Sequence, residues 1–405
     1  MNLPIGKPTH TILSGTLGSQ MYIFISLLLF VLFLPIFGFK LRLDWPDRTN
    51  QWIWGTIALG LMSLVNPYNE NPEGTLIALM FIISNLAFCI LIFSNCTRTQ
   101  LINGIQDGFV VLGLLNFLLA ICFPVLGLKF TTTIFHFGGD VGATRMGTAA
   151  REGAIGLFSH PGNLALYSTI SSVFFLSNVI LDYKKKSSLI LLALNFLTII
   201  LTYSRTTYVV YALTIALIYY IAKNPNKAIF SVQNIVRIFI PLTAVFLWII
   251  VFSPVSDLFL ENEVGAQIDN RTLHWLMAVQ IFQESPLVGV GLNAHLIYFS
   301  KHLGILKSLE LTPFFLENPI HNIHLVVLVE LGMIGLVVWL FFLSNNIRLA
   351  KKSITSTNVP QLLITQVGAI TAYFLYGLTG WAPFSLSVLP FFIFIMYFSI
   401  KYRTQ

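Results

Sequence analysis

The feature that most limits what this chain can fold into is the recurrence, along its whole length, of apolar runs of about 15 to 22 residues between short polar breaks. Such a run crosses a hydrocarbon core of about 30 Å as a helix, because in lipid only a helix or a closed barrel satisfies its own backbone groups. Only 10% of the 405 residues are charged and 56% are hydrophobic, against about 25% charged in an ordinary soluble domain. The chain therefore reads as an all-α, polytopic integral membrane protein. Spans are expected at 20–39, 52–66, 75–94, 107–128, 163–182, 189–204, 206–222, 236–254, 323–344, 360–377 and 386–400. That makes eleven helices, or twelve if the long stretch 11–39 inserts an additional turn. The whole of 1–405 then forms one transmembrane domain, with two long segments on one side at 129–162 and 255–322.

A net charge of +7 does not point to nucleic acid, because the basic residues are scattered over short loops. The loops holding 40–48, Arg98, Lys184–Lys186, "KNPNK" at 223–227, Arg237, 348–352 and the C-terminus alternate onto one side. By the positive-inside rule that side, and the C-terminus, is cytoplasmic. All eight histidines then fall on or beside the outer side. The first twenty residues have no basic region followed by a cleavage site, so the first span is expected to direct insertion. Cys89, Cys96 and Cys122 lie in or beside apolar spans without metal-like spacing and read as packing residues.

The larger outer segment is not featureless. In "RTLHWLMAVQIFQ", Trp275, Ala278 and Phe282 recur at spacings of three and four behind Arg271, which predicts a helix with an apolar face. "ESPLVGVG" stops it through Pro286, Gly289 and Gly291. The segment ends in "NPIHNIHLVVLVELGMIGL", where His321 and Asn322 stand at the mouth of an apolar run. On a continuous helix, Gly332 and Gly335 would lie on the His321 stripe, and small residues there let another helix approach closely. The alternative, left open by the residues alone, is that His321 and Asn322 cap the helix and His324 is interfacial. Glu330 would lie about 13 Å deeper, on the opposite face, and reads as a structural polar clasp inside the membrane.

From Leu189 to Ala222 the chain is apolar for 34 residues except at Arg205. As one helix it would be about 51 Å long, too long for one crossing, so a turn is expected near Arg205. The arginine either snorkels to the interface or binds an anion, since guanidinium meets two phosphate oxygens at once. Arg145, Arg151 and Arg271 are further outer cations. No phosphate-binding G-x-x-x-x-G-K-[ST] loop, H-E-x-x-H zinc pair or G-x-S-x-G elbow occurs, which removes support for an ATP-driven pump, a zinc protease and a serine hydrolase.

Together these residues resemble the O-antigen ligase and O-antigen polymerase superfamily of bacterial membrane glycan-transfer enzymes. His321, Asn322, Gly332 and Gly335 fit its H-[NSQ]-x9-G-x-x-G motif without a gap, and Arg271, Trp275, Ala278, Pro286, Leu287, Gly289 and Gly291 its outer-loop run. "SRT" at 204–206 resembles its arginine at the end of a central helix. "GLFSHPGNLA" departs from the family pattern in that Gly162 separates Pro161 from Asn163, and Val209 stands where the family has leucine. The resemblance spans about 145–345.

It implies a lipid-carrier glycosyltransferase-like membrane fold that moves a preassembled glycan from an undecaprenyl-type pyrophosphate carrier to an acceptor hydroxyl at the outer face of the cytoplasmic membrane. No metal or other cofactor and no nucleic acid is implied; the partners are the carrier-linked donor, a lipid-linked or carrier-linked sugar acceptor and membrane lipids. His321 and Asn322 would be the catalytic pair, and Arg205, Arg271, Arg145 and Arg151 the candidates for pyrophosphate. Ligation in lipopolysaccharide biosynthesis is the first reading. Polymerisation of O-antigen or exopolysaccharide repeats is the alternative, followed by protein O-glycosylation or small-solute transport.

Overall fold

The computed structural model describes residues 47–134, 153–158, 160–223, 274–275, 277–302, 320–354, 360–380, 382–384 and 388–402. The expected spans at 20–39 and 236–254, and Arg145, Arg151 and Arg271, lie outside the described residues. In chain order the helices are α1 (Asp47–Leu64), α2 (Pro72–Asn95), α3 (Arg98–Ile134), α4 (Pro161–Ile180), α5 (Lys185–Leu201) and α6 (Arg205–Lys223). Then follow α7 at 277–284, with 274–275 also helical, α8 (His295–Lys301), α9 (Ile323–Ser353), α10 (Pro360–Gly377), a short 3-10 turn and α11 (Leu389–Tyr402). No strand occurs among the described residues. Five of these helices are long and apolar enough to cross a membrane: Pro72–Ile92, Thr99–Phe123, Pro161–Ile180, Arg205–Lys223 and Ile323–Lys351. The protein is an all-helical, polytopic membrane protein.

The 34-residue apolar stretch divides where its length demands. α5 ends at Leu201 and α6 begins at Arg205, with Tyr203 in the left-handed region at φ 51°. The first long connection is shorter than expected, because α3 continues to Ile134.

Of the five helices able to cross a membrane, α4 is the most enclosed although it is among the two least apolar. α4 carries Ser168, Thr169, Ser171, Ser172, Ser177 and Asn178, all buried, and packs among α5, α6 and α10. Small and hydroxylated side chains allow close helix approach, and hydroxyls can return their hydrogen bonds to the preceding turn. Thr169 Oγ1 donates to the Ala165 carbonyl at 2.9 Å and Ser177 Oγ to that of Phe174 at 2.7 Å. On α10, a Cβ at Gly368 would stand 2.4 Å from Val173 Cγ1, so that crossing requires glycine. α3 has the reverse pattern, exposing Val111, Leu114, Leu118 and Ile121, as a helix facing lipid does.

One expectation is corrected. α9 is not a continuous helix carrying His321, Gly332 and Gly335 on one stripe, because Gly332 adopts φ 67°, ψ −168° and breaks it. Breaking a helix frees backbone groups that lipid cannot satisfy. Here the chain from Pro286 to Gly291 supplies the partners: Met333 N–H donates to the Pro286 carbonyl and Ile334 N–H to that of Leu287, at 2.9 and 3.3 Å. In return Val290 N–H and Gly291 N–H reach the carbonyls of Val329 and Glu330, both at 2.9 Å. The fit leaves no room for a side chain: a Cβ on Gly332 would lie 2.2 Å from the Leu287 carbonyl oxygen, and one on Gly289 2.4 Å from the Glu330 carbonyl.

The outer edge of this loop rests on the α1–α2 turn. Asn66 Nδ2 donates to the Gly289 carbonyl at 2.7 Å, Asn71 Nδ2 to that of Asn293 at 2.9 Å and Thr75 Oγ1 to that of Leu292 at 2.6 Å.

Gly332→Ala is expected to lose about 1–3 kcal/mol from backbone strain alone, with the steric clash adding to it. Thermal unfolding of the purified variant in detergent measures this. Gly55→Ala, where a Cβ would meet nothing within 4 Å, is the control and should unfold close to the parent.

Candidate active site

Three helices begin at one end of the bundle, and local sequence fixes each start. α4 is opened by His160, whose Nδ1 accepts from Gly162 N–H at 3.0 Å, followed by Pro161 in the first turn. α9 is opened by Asn322, whose Oδ1 accepts from the N–H groups of His324 and Leu325 at 3.0 and 3.1 Å. α6 begins at Arg205 after a turn in which Ser204 Oγ and Thr207 Oγ1 lie 2.7 Å apart.

Contacts tie these starts together. Ala154 N–H donates to the Leu201 carbonyl at 2.9 Å, which places the chain entering α4 beside the turn that carries Arg205. A Cβ on Gly162 would lie 2.2 Å from the Tyr376 hydroxyl, and one on Gly377 2.4 Å from Ile323 Cγ1. The last turn of α10 is thus packed against the first residues of both α4 and α9. Gly162, the residue that departs from the family pattern, fills this tight space.

His321 is half-buried, with its Nδ1 turned inward. Its ring lies parallel to that of His274, centroids 5.5 Å apart and planes 7° from coplanar orientation. Asn322 supplies the cap that fixes the backbone next to it, so its side-chain oxygen is already engaged with α9. His324 is held at both nitrogens: Trp339 Nε1–H donates to Nδ1 at 3.3 Å, and Nε2 stands 3.1 Å from the Phe374 carbonyl. With Nδ1 accepting, the ring proton is on Nε2 and donates to that carbonyl.

Glu330 is buried, and its Oε1 lies 2.7 Å from Nδ1 of His295, itself buried on α8. The acid therefore ties the broken helix to the segment between α7 and α9. Around the pair sits an apolar cluster that includes Met277, Ala278, Ile281, Leu296, Ile320 and Val326.

α7 is helical, but its inward face differs from the expected one. His274, Met277, Ala278 and Ile281 are buried while Trp275 is exposed. Burial, and after it the charge of nearby His295, lowers His274 from the ordinary imidazole range to about 4. Burial alone lowers His160 to about 4 as well.

Among the described residues, no group of three or more His, Cys, Asp and Glu is placed to hold a metal ion. Of the residues singled out in the sequence, His321, Asn322, Glu330, Gly332 and Gly335 share α9 and its mouth, and Arg205 stands at the same end of the bundle. Sequence reasoning passed over His274 and His295. The signal for His274 was its place one turn after Arg271. For His295 it was a histidine four residues beyond the glycine run.

The family model described as O-antigen ligase matches residues 190–340. This region is similar to the O-antigen ligase family. The match runs from α5 into α9 and takes in Arg205, Arg271, His274, His295, His321 and Glu330; Arg145 and Arg151 lie before it. No curated protein matches the chain. The matched region thus contains both sides of the backbone exchange at Gly332, whereas the α1–α2 turn that supports the exchange lies outside it.

Asn322→Ala should cost about 1 kcal/mol through loss of the α9 cap, and Asn322→Asp only a few tenths. Thermal unfolding of both variants measures the difference. If the cap is the main use of this side chain, Asn322→Asp also keeps most of the transfer activity.

Proposed function

We propose that this protein transfers a preassembled glycan from a polyprenyl pyrophosphate carrier to an acceptor hydroxyl at the outer face of the inner membrane, in the manner of an O-antigen ligase. The observation that carries this is the placement of Arg205 and His321 at one end of the bundle, where α4, α6 and α9 all begin. Each helix start carries about half a positive charge from its aligned peptide dipoles. With a guanidinium among them, that end favours a pyrophosphate, while the glycan points to water and the polyprenyl tail lies against the apolar outer faces.

The chemistry needs a proton acceptor and a stabilised leaving group. The acceptor hydroxyl gives its proton to His321, and its oxygen forms a bond to the anomeric carbon of the donor glycan. The bond from that carbon to the pyrophosphate oxygen breaks, and the electron pair departs with the carrier pyrophosphate. Arg205 offsets the charge on that leaving group, and Arg271, Arg145 and Arg151 are the further cations proposed for it. Glu330 and the glycines act by shaping the support beneath His321. No metal takes part in this scheme.

Reconstitution with a carrier-linked glycan tests the proposal. His321→Ala is expected to insert normally and to lose transfer by about 100-fold or more, the scale of a lost general base; near-parental transfer would sink the assignment. Offering a lipid-linked core sugar and a carrier-linked repeat as competing acceptors separates ligation from polymerisation, and a peptide acceptor tests protein glycosylation.

Arg205→Lys keeps the positive tip that snorkelling requires but loses the planar fork. It should lose about 1.5–3 kcal/mol of transition-state stabilisation, the value of a charged hydrogen bond. Full activity with unchanged donor affinity would make Arg205 a topological anchor. Transfer should also survive exhaustive EDTA. Loss of transfer, with recovery on adding a divalent ion, would direct attention to Asp140, Glu152 and Glu317.

A further inference from the structure

The residue lying against His321 has no part in the scheme above. His274 comes from α7, is 2% exposed, and stacks on the His321 ring at 5.5 Å between centroids, 7° from parallel. An imidazole that accepts a proton becomes a cation. A cation within about 6 Å of a neutral aromatic face is attracted to it, whereas two cations so placed repel. The sign of the interaction therefore depends on His274 remaining uncharged. Its burial opposes charging, so near neutral pH it presents a neutral ring.

We propose that His274 is a positioning residue for His321, its neutral ring face stabilising the imidazolium that His321 becomes on taking the acceptor proton. This rests on the assignment of His321 as the base. The groups around the stack are compatible with it. On α8, His295 is the titratable neighbour of His274, and Glu330 on α9 holds His295 through Nδ1 at 2.7 Å. On α7 the remaining described acid, Glu284, pairs instead with Tyr298 on α8. On α9, Asn322 is neutral and His324 is held by Trp339 and Phe374.

The test uses the full chain in lipid nanodiscs with carbon-13-labelled histidine, and reads both glycan transfer and the titration of the His321 ring. His274→Phe keeps a neutral aromatic face and should transfer within about threefold of the parent. His274→Leu keeps apolar bulk without the face. It should lose about threefold to tenfold in kcat with donor and acceptor KM unchanged. A stabilised imidazolium titrates higher, so losing the face lowers the titration point. Because His321 must be neutral to act, the acid limb of activity should move down by about 0.5 to 1 in pH, together with the ring titration.

A His321 titration unmoved in His274→Leu, alongside an inactive His321→Ala, overturns this proposal and leaves the base assignment standing. A fully active His321→Ala overturns both, and the ring titration still reports whether the two histidines are coupled. Should His274→Leu fail to insert, the parent protein decides. His274 still neutral at pH 5.5 supports the proposal, and His274 charging above pH 6 overturns it.

Discussion

The exchange of backbone hydrogen bonds between the Pro286–Gly291 loop and the broken segment of α9 is the interaction on which the site depends. A helix interrupted at Gly332 strands donors and acceptors in a setting that offers no water. The loop meets that need from both strands, through Met333 and Ile334 in one direction and Val290 and Gly291 in the other. Only glycine fits at the two points of closest approach, Gly289 and Gly332. The geometry is therefore sterically specified, and it fixes where the segment carrying His274 and His295 sits above α9.

The side chains follow that backbone frame. Glu330 takes part in the exchange through its own carbonyl, and His295 is four residues past Gly291 on the other side, so their buried hydrogen bond closes the same junction. Removing one partner of such a pair leaves a buried polar group without compensation. The α1–α2 turn adds a third support through Asn66, Asn71 and Thr75. Part of the scaffold of the region similar to the O-antigen ligase family is thus contributed by residues that the family model does not match.

Much of this was legible in advance. The apolar runs located α2, α4, α6 and α10 within a few residues, and the start of α9 though not its end at Ser353, because a fixed bilayer thickness sets the length of a span. The 34-residue stretch had to turn near Arg205 for the same reason, and it turns at 202–204. The apolar face of α7 was misassigned: periodicity shows that a helix has an inward face, but Trp275 is exposed and His274 buried. A histidine is not counted as apolar, yet here stacking and enclosure place it inside. The break at Gly332 was also hidden, since a glycine in an apolar run reads equally as a packing seam.

By itself, the sequence determined that the chain is an all-helical membrane protein, that Arg205 stands at a helix start and that His321 opens a long apolar helix. These follow from local rules of length, periodicity and charge that act along the chain. Only the tertiary structure decided that Glu330 meets His295 across 35 residues and that His274 lies on His321. The physical reason is that these contacts join residues far apart in sequence. Their distances are set by a non-helical backbone exchange, to which helical periodicity carries no information.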